Sequence, residues 1–308
     1  MQKNDPAIQT SPCVSSGCYA NAVYSSDRCW EHTADKAALL SAIEALVTRG
    51  DPLSCVSLVK VDLSGRKLAG AALTGANLAA AKLSGTDLSG AALDGADLRA
   101  GDLSGTNLQR ANLSGANLEG AMMTQANLCG ATLDCCILRR ANLHKAVAKQ
   151  ASLKRAEMSY SCCVDTDFTK ADLAAACLDA ACLVGAVFTE AMLDDAILGG
   201  TVMTGANLER ASLNRANLIG TCLRGANVCG AQFTRARMGR TDLADADARD
   251  VVMARAILRE ANLAWANLAG ANLAGAILER AKLRGADLTG ASISGANTSG
   301  ADMDGVTT

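Results

Sequence analysis

The chain has 308 residues, of which half are hydrophobic but only 3% are aromatic. This is not the composition of an ordinary globular protein, because the core of such a protein draws much of its buried area from Phe, Tyr and Trp. The apolar content is mainly Ala and Leu. The formal net charge of −2 excludes a global field that would attract nucleic acid or imitate its charge.

Residues 1–32 contain three cysteines and a histidine in the spacing C-x4-C-x10-C-x2-H, namely Cys13, Cys18, Cys29 and His32. Four such ligands in so short a segment predict a closed, tetrahedral, structural Zn²⁺ site. The motif is similar to short zinc-knuckle modules that occur in diverse proteins. The alternative is three loose cysteines of an N-terminal tail.

Residues 33–52 are predicted to form an α-helix. Thr33 is the expected N-cap, an apolar face follows, and Arg49 and Gly50 end the helix just before Pro52. We expect this helix to cover the open N-terminal end of the next domain, whose strand edges would otherwise be exposed. The alternative is a helix that binds a partner.

Residues 56–305 repeat every five positions, with Leu in most units and a small residue, usually Ala, two positions before it. A period of five suits neither an amphipathic helix nor a plain strand. It fits short extended segments separated by corners, in which the small residue and Leu point inward. Gly at corner positions such as Gly65 and Gly70 suits a bend that needs a positive φ. The chain is therefore expected to form a solenoid.

The tandem Ala-Asn/Asp-Leu-x-x units resemble the pentapeptide-repeat family. The resemblance implies an all-β solenoid, a right-handed quadrilateral β-helix with four units per coil. About fifty units then give about 12 coils, followed by a short tail at residues 306–308. Residues 20 apart become neighbours in adjacent coils, so Phe168 and Phe188 should stack. Cys136 and Cys163 should point inward, whereas Cys162 and Cys182 should share an outward column as reduced thiols.

Charged residues are the remaining candidates for a binding site. Residues 139–155 form a basic belt with six Lys/Arg and no acidic residue: Arg139, Arg140, Lys145, Lys149, Lys154 and Arg155. Arg215, Arg235 and Arg255 form a column at spacing 20, with Arg237 beside it. Stacked like charges repel, so this arginine column is expected to attract a phosphate-rich or acidic partner. The alternative is an ordinary solvated surface.

No catalytic constellation is found, and the favoured function is a non-catalytic scaffold for protein–protein interaction. The family resemblance implies an alternative, a DNA mimic that binds a type II topoisomerase (gyrase) and gives resistance to its inhibitors. Those mimics carry a strongly acidic face, which this chain lacks. Nucleic-acid binding through the zinc knuckle and the basic belt is less favoured, because aromatic stacking platforms are missing from the repeat. A homodimer through the C-terminal coil remains open.

The polar N-terminus and the lack of any apolar run of about 18 residues favour a cytoplasmic protein with no membrane contact.

Overall fold

The computed structural model describes residues 30–308, and the proposed zinc ligands Cys13, Cys18 and Cys29 lie outside the described residues. A 3-10 turn at Trp30–His32 precedes the helix α1, Lys36–Arg49. No helix among the described residues has the length and apolar character needed to cross a bilayer.

The N-cap of α1 is Asp35, and the sequence-based choice of Thr33 was wrong. The Asp35 carboxylate accepts a hydrogen bond of 2.8 Å from the backbone N–H of Ala38, three residues on, which satisfies a free donor of the first turn. Thr33 lies two residues too early to reach that donor. Gly50 ends the helix as predicted, with a φ of 76°.

The helix packs against the first coil. Leu39, Leu40 and Ile43 are buried in the same apolar cluster as Leu53 and Leu58. Two surface ion pairs also reach the first coil, one from the 3-10 turn and one from α1. Lys60 lies 3.1 Å from Glu31, and Arg66 lies 3.5 Å from Glu44.

The repeat forms a β-helix with four pentapeptides in each coil. From Ser57 to Thr307, every fifth residue forms a parallel bridge with a residue 20 positions away. Each strand is reduced to a single bridging residue, and a turn follows it. The Leu78 N–H donates to the backbone carbonyl of Asp97 (2.7 Å), and the Asp97 N–H donates back to the backbone carbonyl of Ala76 (2.9 Å). Repeated along the chain, these bonds satisfy the backbone and hold each coil on the next.

The corner residue of every pentapeptide is left-handed. All corners from Cys55 to Gly305 have a positive φ, from Gly65 at 68° to Tyr160 at 60° and Trp265 at 61°. The expectation of a positive φ at the glycine corners is confirmed. The structure extends it to Lys, Arg, Asp, Glu and aromatic residues, which adopt this conformation at a cost.

The core consists of inward Ala and Leu side chains in layers. Phe168 and Phe188 stack as predicted, with ring centroids 5.0 Å apart and an interplanar angle of 13°. Ala148 occupies the Leu position one coil before Phe168 and leaves room for the ring. Cys136 and Cys163 are fully buried as predicted, and burial raises the pKa of the Cys163 thiol to about 12.

Outward Asn and Asp side chains mostly hold the corner of their own unit. The Asn77 Oδ1 atom accepts from the backbone N–H of Ala79 at 3.1 Å, and the same bond recurs along the rod. Hydrogen bonds between outward side chains of neighbouring coils also occur, as from the Asn227 Nδ2 atom to the Asn207 Oδ1 atom at 3.2 Å. This Asx geometry explains why the family position prefers Asn or Asp.

In the last coil the inward positions are less covered than elsewhere. Ile293 is 45% exposed and Met303 is 38% exposed.

Candidate interaction surface

The arginine column lies along one corner of the β-helix. Arg215, Arg235 and Arg255 each occupy the left-handed corner position, with φ values of 60°, 60° and 57°, so their side chains project from successive coils. The three arginines, with Asn214, Gln232, Thr234 and Ala254, line a surface depression of ≈ 470 Å³. The spacing of four repeat units therefore brings these charges together as the sequence indicated.

Arg215 is not available to a partner in the same way as the others. Its guanidinium makes two hydrogen bonds to the Asp195 carboxylate, at 2.8 and 2.6 Å. The bonds from Arg215 lower the pKa of Asp195 below its usual range, and the same pair raises the pKa of Arg215. Asp195 stands one coil before Arg215 in the same column, so the column begins with a neutralised pair.

Arg235, Arg237 and Arg255 form no salt bridge with any other residue in the range 30–308. All three are exposed. Arg237 lies on the face next to the corner, where it bridges to Asn217 and Ile257. Stacked coils are about 4.8 Å apart, so the side chains of Arg235 and Arg255 leave neighbouring corners. None of the salt bridges in this range places a carboxylate between them. We call these three residues the unpaired arginine cluster.

The basic belt carries fewer free charges than its sequence indicates. Arg139 lies 3.6 Å from Glu119 and 3.1 Å from Glu157. Lys149 pairs with Asp167 at 3.2 Å, and Lys154 pairs with Asp172 at 3.1 Å. These acids belong to the neighbouring coils, so a count restricted to the belt itself misses them.

Arg140, Lys145 and Arg155 are the belt residues without a salt bridge in the described part of the chain. Arg155 lies in the same corner column as Arg215, three coils before it, because their numbers differ by a multiple of 20. With Asp134, Cys135 and Lys154 it lines a second depression of ≈ 360 Å³. Both depressions lie on the same corner of the β-helix, and the 20-residue spacing of these arginines in the sequence was the signal that could have placed them there.

Most acidic side chains of the later coils are neutralised. Arg240 pairs with Glu260 at 2.9 Å, and Arg259 pairs with Glu279 at 3.2 Å. Asp245 is held by Arg224 at 3.2 Å, and Asp247 is held by Arg249 at 2.6 Å.

Of the predicted zinc ligands, the structure describes His32 alone, at the end of the 3-10 turn before α1. Residues 30–308 hold no group of three or more His, Cys, Asp or Glu side chains arranged to bind a metal ion. The zinc hypothesis therefore depends on residues outside this range.

Comparison with solved structures finds similar chains, among them proteins described as pentapeptide repeat proteins. HetL, a regulator of heterocyst differentiation from the cyanobacterium Nostoc sp. strain PCC 7120, is 26% identical, with 86% of this chain and 95% of HetL covered and a TM-score of 0.37. Full-length QnrB1, a plasmid-mediated fluoroquinolone resistance protein, is 16% identical, with 70% and 92% covered and a TM-score of 0.24. A thylakoid-lumen protein of Arabidopsis thaliana is 30% identical, with 35% and 61% covered and a TM-score of 0.20.

No match is found among curated protein sequences. The model of the family described as pentapeptide repeats matches in eight copies that run from residue 57 to residue 305. These matches lie within the range whose residues form parallel bridges at a spacing of 20, which is four repeat units per coil. The repeat match covers most of the chain, and the chain belongs to the pentapeptide repeat family.

Proposed function

We propose that this protein is a non-catalytic scaffold that binds an acidic protein partner through the unpaired arginine cluster. The observation that carries the proposal is the absence, among the described residues, of any ion pair to Arg235, Arg237 or Arg255, although most neighbouring cations have one. An unpaired cluster of like charges is relieved when carboxylates dock on it, and a guanidinium binds a carboxylate through two parallel hydrogen bonds.

The shape of the site favours an extended acidic segment over a compact anion. Gly275 follows Arg255 in the same column and has no side chain to block it. The lining of the depression also includes the Gln232 amide, whose nitrogen donates to the Gly230 carbonyl, and the Thr234 hydroxyl. A peptide lying along the corner could place carboxylates against successive arginines, with these neutral groups fixing its register.

The test uses a short fluorescent poly-glutamate peptide, with binding followed by anisotropy. Arg235→Glu and Arg255→Glu should each weaken binding at least tenfold, and the slope of affinity against salt concentration should fall. Arg240→Glu is the matched control, because Arg240 is an exposed corner arginine whose charge is already satisfied by Glu260. Equal losses in all three variants would show a non-specific charge effect and overturn the proposal.

Two further outcomes separate the alternatives. Preferential binding of duplex DNA over poly-glutamate, lost in the same variants, would favour the nucleic-acid hypothesis. Inhibition of gyrase supercoiling, or its protection from a quinolone, would favour the topoisomerase hypothesis. The neutralised carboxylates of Asp195, Asp245 and Asp247 speak against the latter, because a DNA mimic needs a continuous acidic surface.

We propose in addition that Cys13, Cys18, Cys29 and His32 hold one structural Zn²⁺ as a second contact surface. Thiolates and one imidazole suit tetrahedral zinc, and His32 lies at the end of the turn that leads into α1. We expect about one zinc per chain by elemental analysis, reduced by Cys29→Ser and by His32→Ala. Cys55→Ser, an exposed thiol on the first corner, is the control. Zinc content that does not change in either ligand variant would contradict this site.

The rest of the proposed architecture is a right-handed rod of about 12 coils, with α1 as its N-terminal cap and a homodimer contact at the last coil. The burial of Leu39, Leu40 and Ile43 against the first coil supports the cap. The exposure of Ile293 and Met303 supports the contact. Light scattering at high concentration should then give twice the monomer mass, and Met303→Glu should restore the monomer.

A further inference from the structure

One outward column of the β-helix carries thiols on consecutive coils. Cys162 and Cys182 are paired by a parallel β-bridge, so they are direct neighbours on the same face. Both are free and half-buried. Cys222 lies further along the same column, separated from Cys182 by Val202.

The spacing of the pair does not suit a disulfide. Directly bridged residues of neighbouring parallel strands are about 4.8 Å apart, and parallel side chains keep their Cβ atoms at about that separation. A disulfide needs Cβ atoms at about 3.5–4.5 Å. The backbone keeps the two coils from moving closer together. The Cys162 N–H donates to the Ala141 carbonyl and the Cys182 N–H donates to the Ser161 carbonyl, both at 2.9 Å.

The same spacing suits two thiolates on one metal ion. Parallel side chains keep the two sulfur atoms about as far apart as the Cβ atoms, and two metal–sulfur bonds of about 2.3 Å, the length found for zinc, span about 4.6 Å end to end. The next residues of the column are Asn142 and Val202, which supply neither sulfur nor imidazole, so the column does not complete a tetrahedral zinc site. Soft thiolate ligands select Cu(I), zinc and Fe–S clusters, and of these Cu(I) is the ion that accepts two sulfur ligands in line.

We propose that Cys162 and Cys182 bind one Cu(I) ion as a bridging bis-thiolate that links two adjacent coils. Binding forms two Cu–S bonds, breaks two S–H bonds and releases two protons to solvent, and no atom changes oxidation state. The complex carries one negative charge. The site is half-buried and therefore open to exchange with Cu(I) carriers or small thiols.

The test measures Cu(I) bound per chain under nitrogen, in competition with bicinchoninate, using the full-length protein. Cys162→Ser and Cys182→Ser should each lose one equivalent of tightly bound Cu(I), and the double variant should lose no more than either single one, because the two thiols share one ion. Cys222→Ser is the matched control and should lose none. The cysteines at 13, 18 and 29 are present in every variant, so their contribution cancels in the comparison.

A gain-of-site variant provides a second readout. Val202→Cys joins Cys182 to Cys222 and makes a run of four thiols, which should raise tight binding by one equivalent. X-ray absorption of the wild-type complex should show two sulfur neighbours. The proposal is overturned if Cys222→Ser loses as much Cu(I) as the other variants, if losses are additive in the double variant, or if the isolated protein carries a Cys162–Cys182 disulfide by mass spectrometry.

Discussion

The corner residue of each pentapeptide has a fixed backbone conformation but a side chain that varies widely from unit to unit. Its left-handed φ favours glycine, because an L-residue there places its Cβ close to a carbonyl oxygen. The chain nevertheless uses Ala175, Tyr160 and Trp265 at corners. The stacked hydrogen bonds of the coils on each side hold these residues in place, so each substituted corner stores a small amount of strain.

A pair of opposite substitutions tests this strain. Gly65 has a φ of 68° and no atom within 4 Å of an added Cβ, so Gly65→Ala adds strain without a clash. We expect a loss of about 1 kcal/mol in the free energy of unfolding. Ala175→Gly should be neutral or stabilising, whereas Ala→Gly usually costs about 0.5–1 kcal/mol. Urea unfolding measures both changes, and a clear destabilisation by Ala175→Gly would contradict the argument.

At the scale of the element, the pentapeptide is a unit whose core volume is shared with the coils before and after it. Phe168 and Phe188 exceed the space of the usual Leu, and Ala148 in the preceding coil falls short of it. The three positions belong to one inward column. The three side chains together fill this column, although none of them is the Leu that the repeat usually places there.

The double substitution at this column provides a direct test. Ala148→Leu places the residue most common in the repeat beside Phe168, and we expect it to cost about 1–3 kcal/mol through overpacking. Phe168→Leu in the same chain should recover most of that loss, because the two changes restore the usual volume. Thermal and urea unfolding of the two single variants and the double variant give the coupling energy. Additive losses would mean that the two side chains do not compete for space.

The sequence predicted the larger part of this element and missed the rest for definable reasons. The five-residue period gave the inward positions, the corners and, through the family resemblance, the four-unit coil that stacks Phe168 on Phe188. The N-cap of α1 was misplaced at Thr33, because a cap is defined by which side chain reaches a free N–H. The free positive charge of the basic belt was overestimated, because the acids that neutralise Arg139 come from other coils.

At the scale of the whole molecule, carboxylates that hold corners couple stability to pH. Hydrogen bonds from Ser64, Ser89 and Thr289 lower the pKa of Asp62, Asp87 and Asp287 below the usual value of 3.8. A lowered pKa in the folded state means that the ionised form is stabilised. That stability is present above about pH 4 and is lost as the pH falls through the folded-state value.

The triple variant Asp62→Asn, Asp87→Asn, Asp287→Asn tests this coupling. The amide oxygen can still accept the bond, as in the many units that carry Asn, but it does not titrate. We expect the urea midpoint of the wild type to fall between pH 7 and pH 3 by more than the midpoint of the variant. Identical decreases in the two proteins would show that acid acts elsewhere in the rod.

The four-unit coil also determines how the gene can change length. Loss of four consecutive units, for example 261–280, removes one full layer and leaves every later side chain on its original face. Loss of a single unit turns everything downstream by a quarter of a revolution. A deletion of residues 241–245, for instance, would move Arg255 out of line with Arg235 and so divide the unpaired arginine cluster. In this molecule the smaller deletion is the more disruptive one for binding, so length variation in coding sequences should be tolerated mainly in multiples of sixty nucleotides.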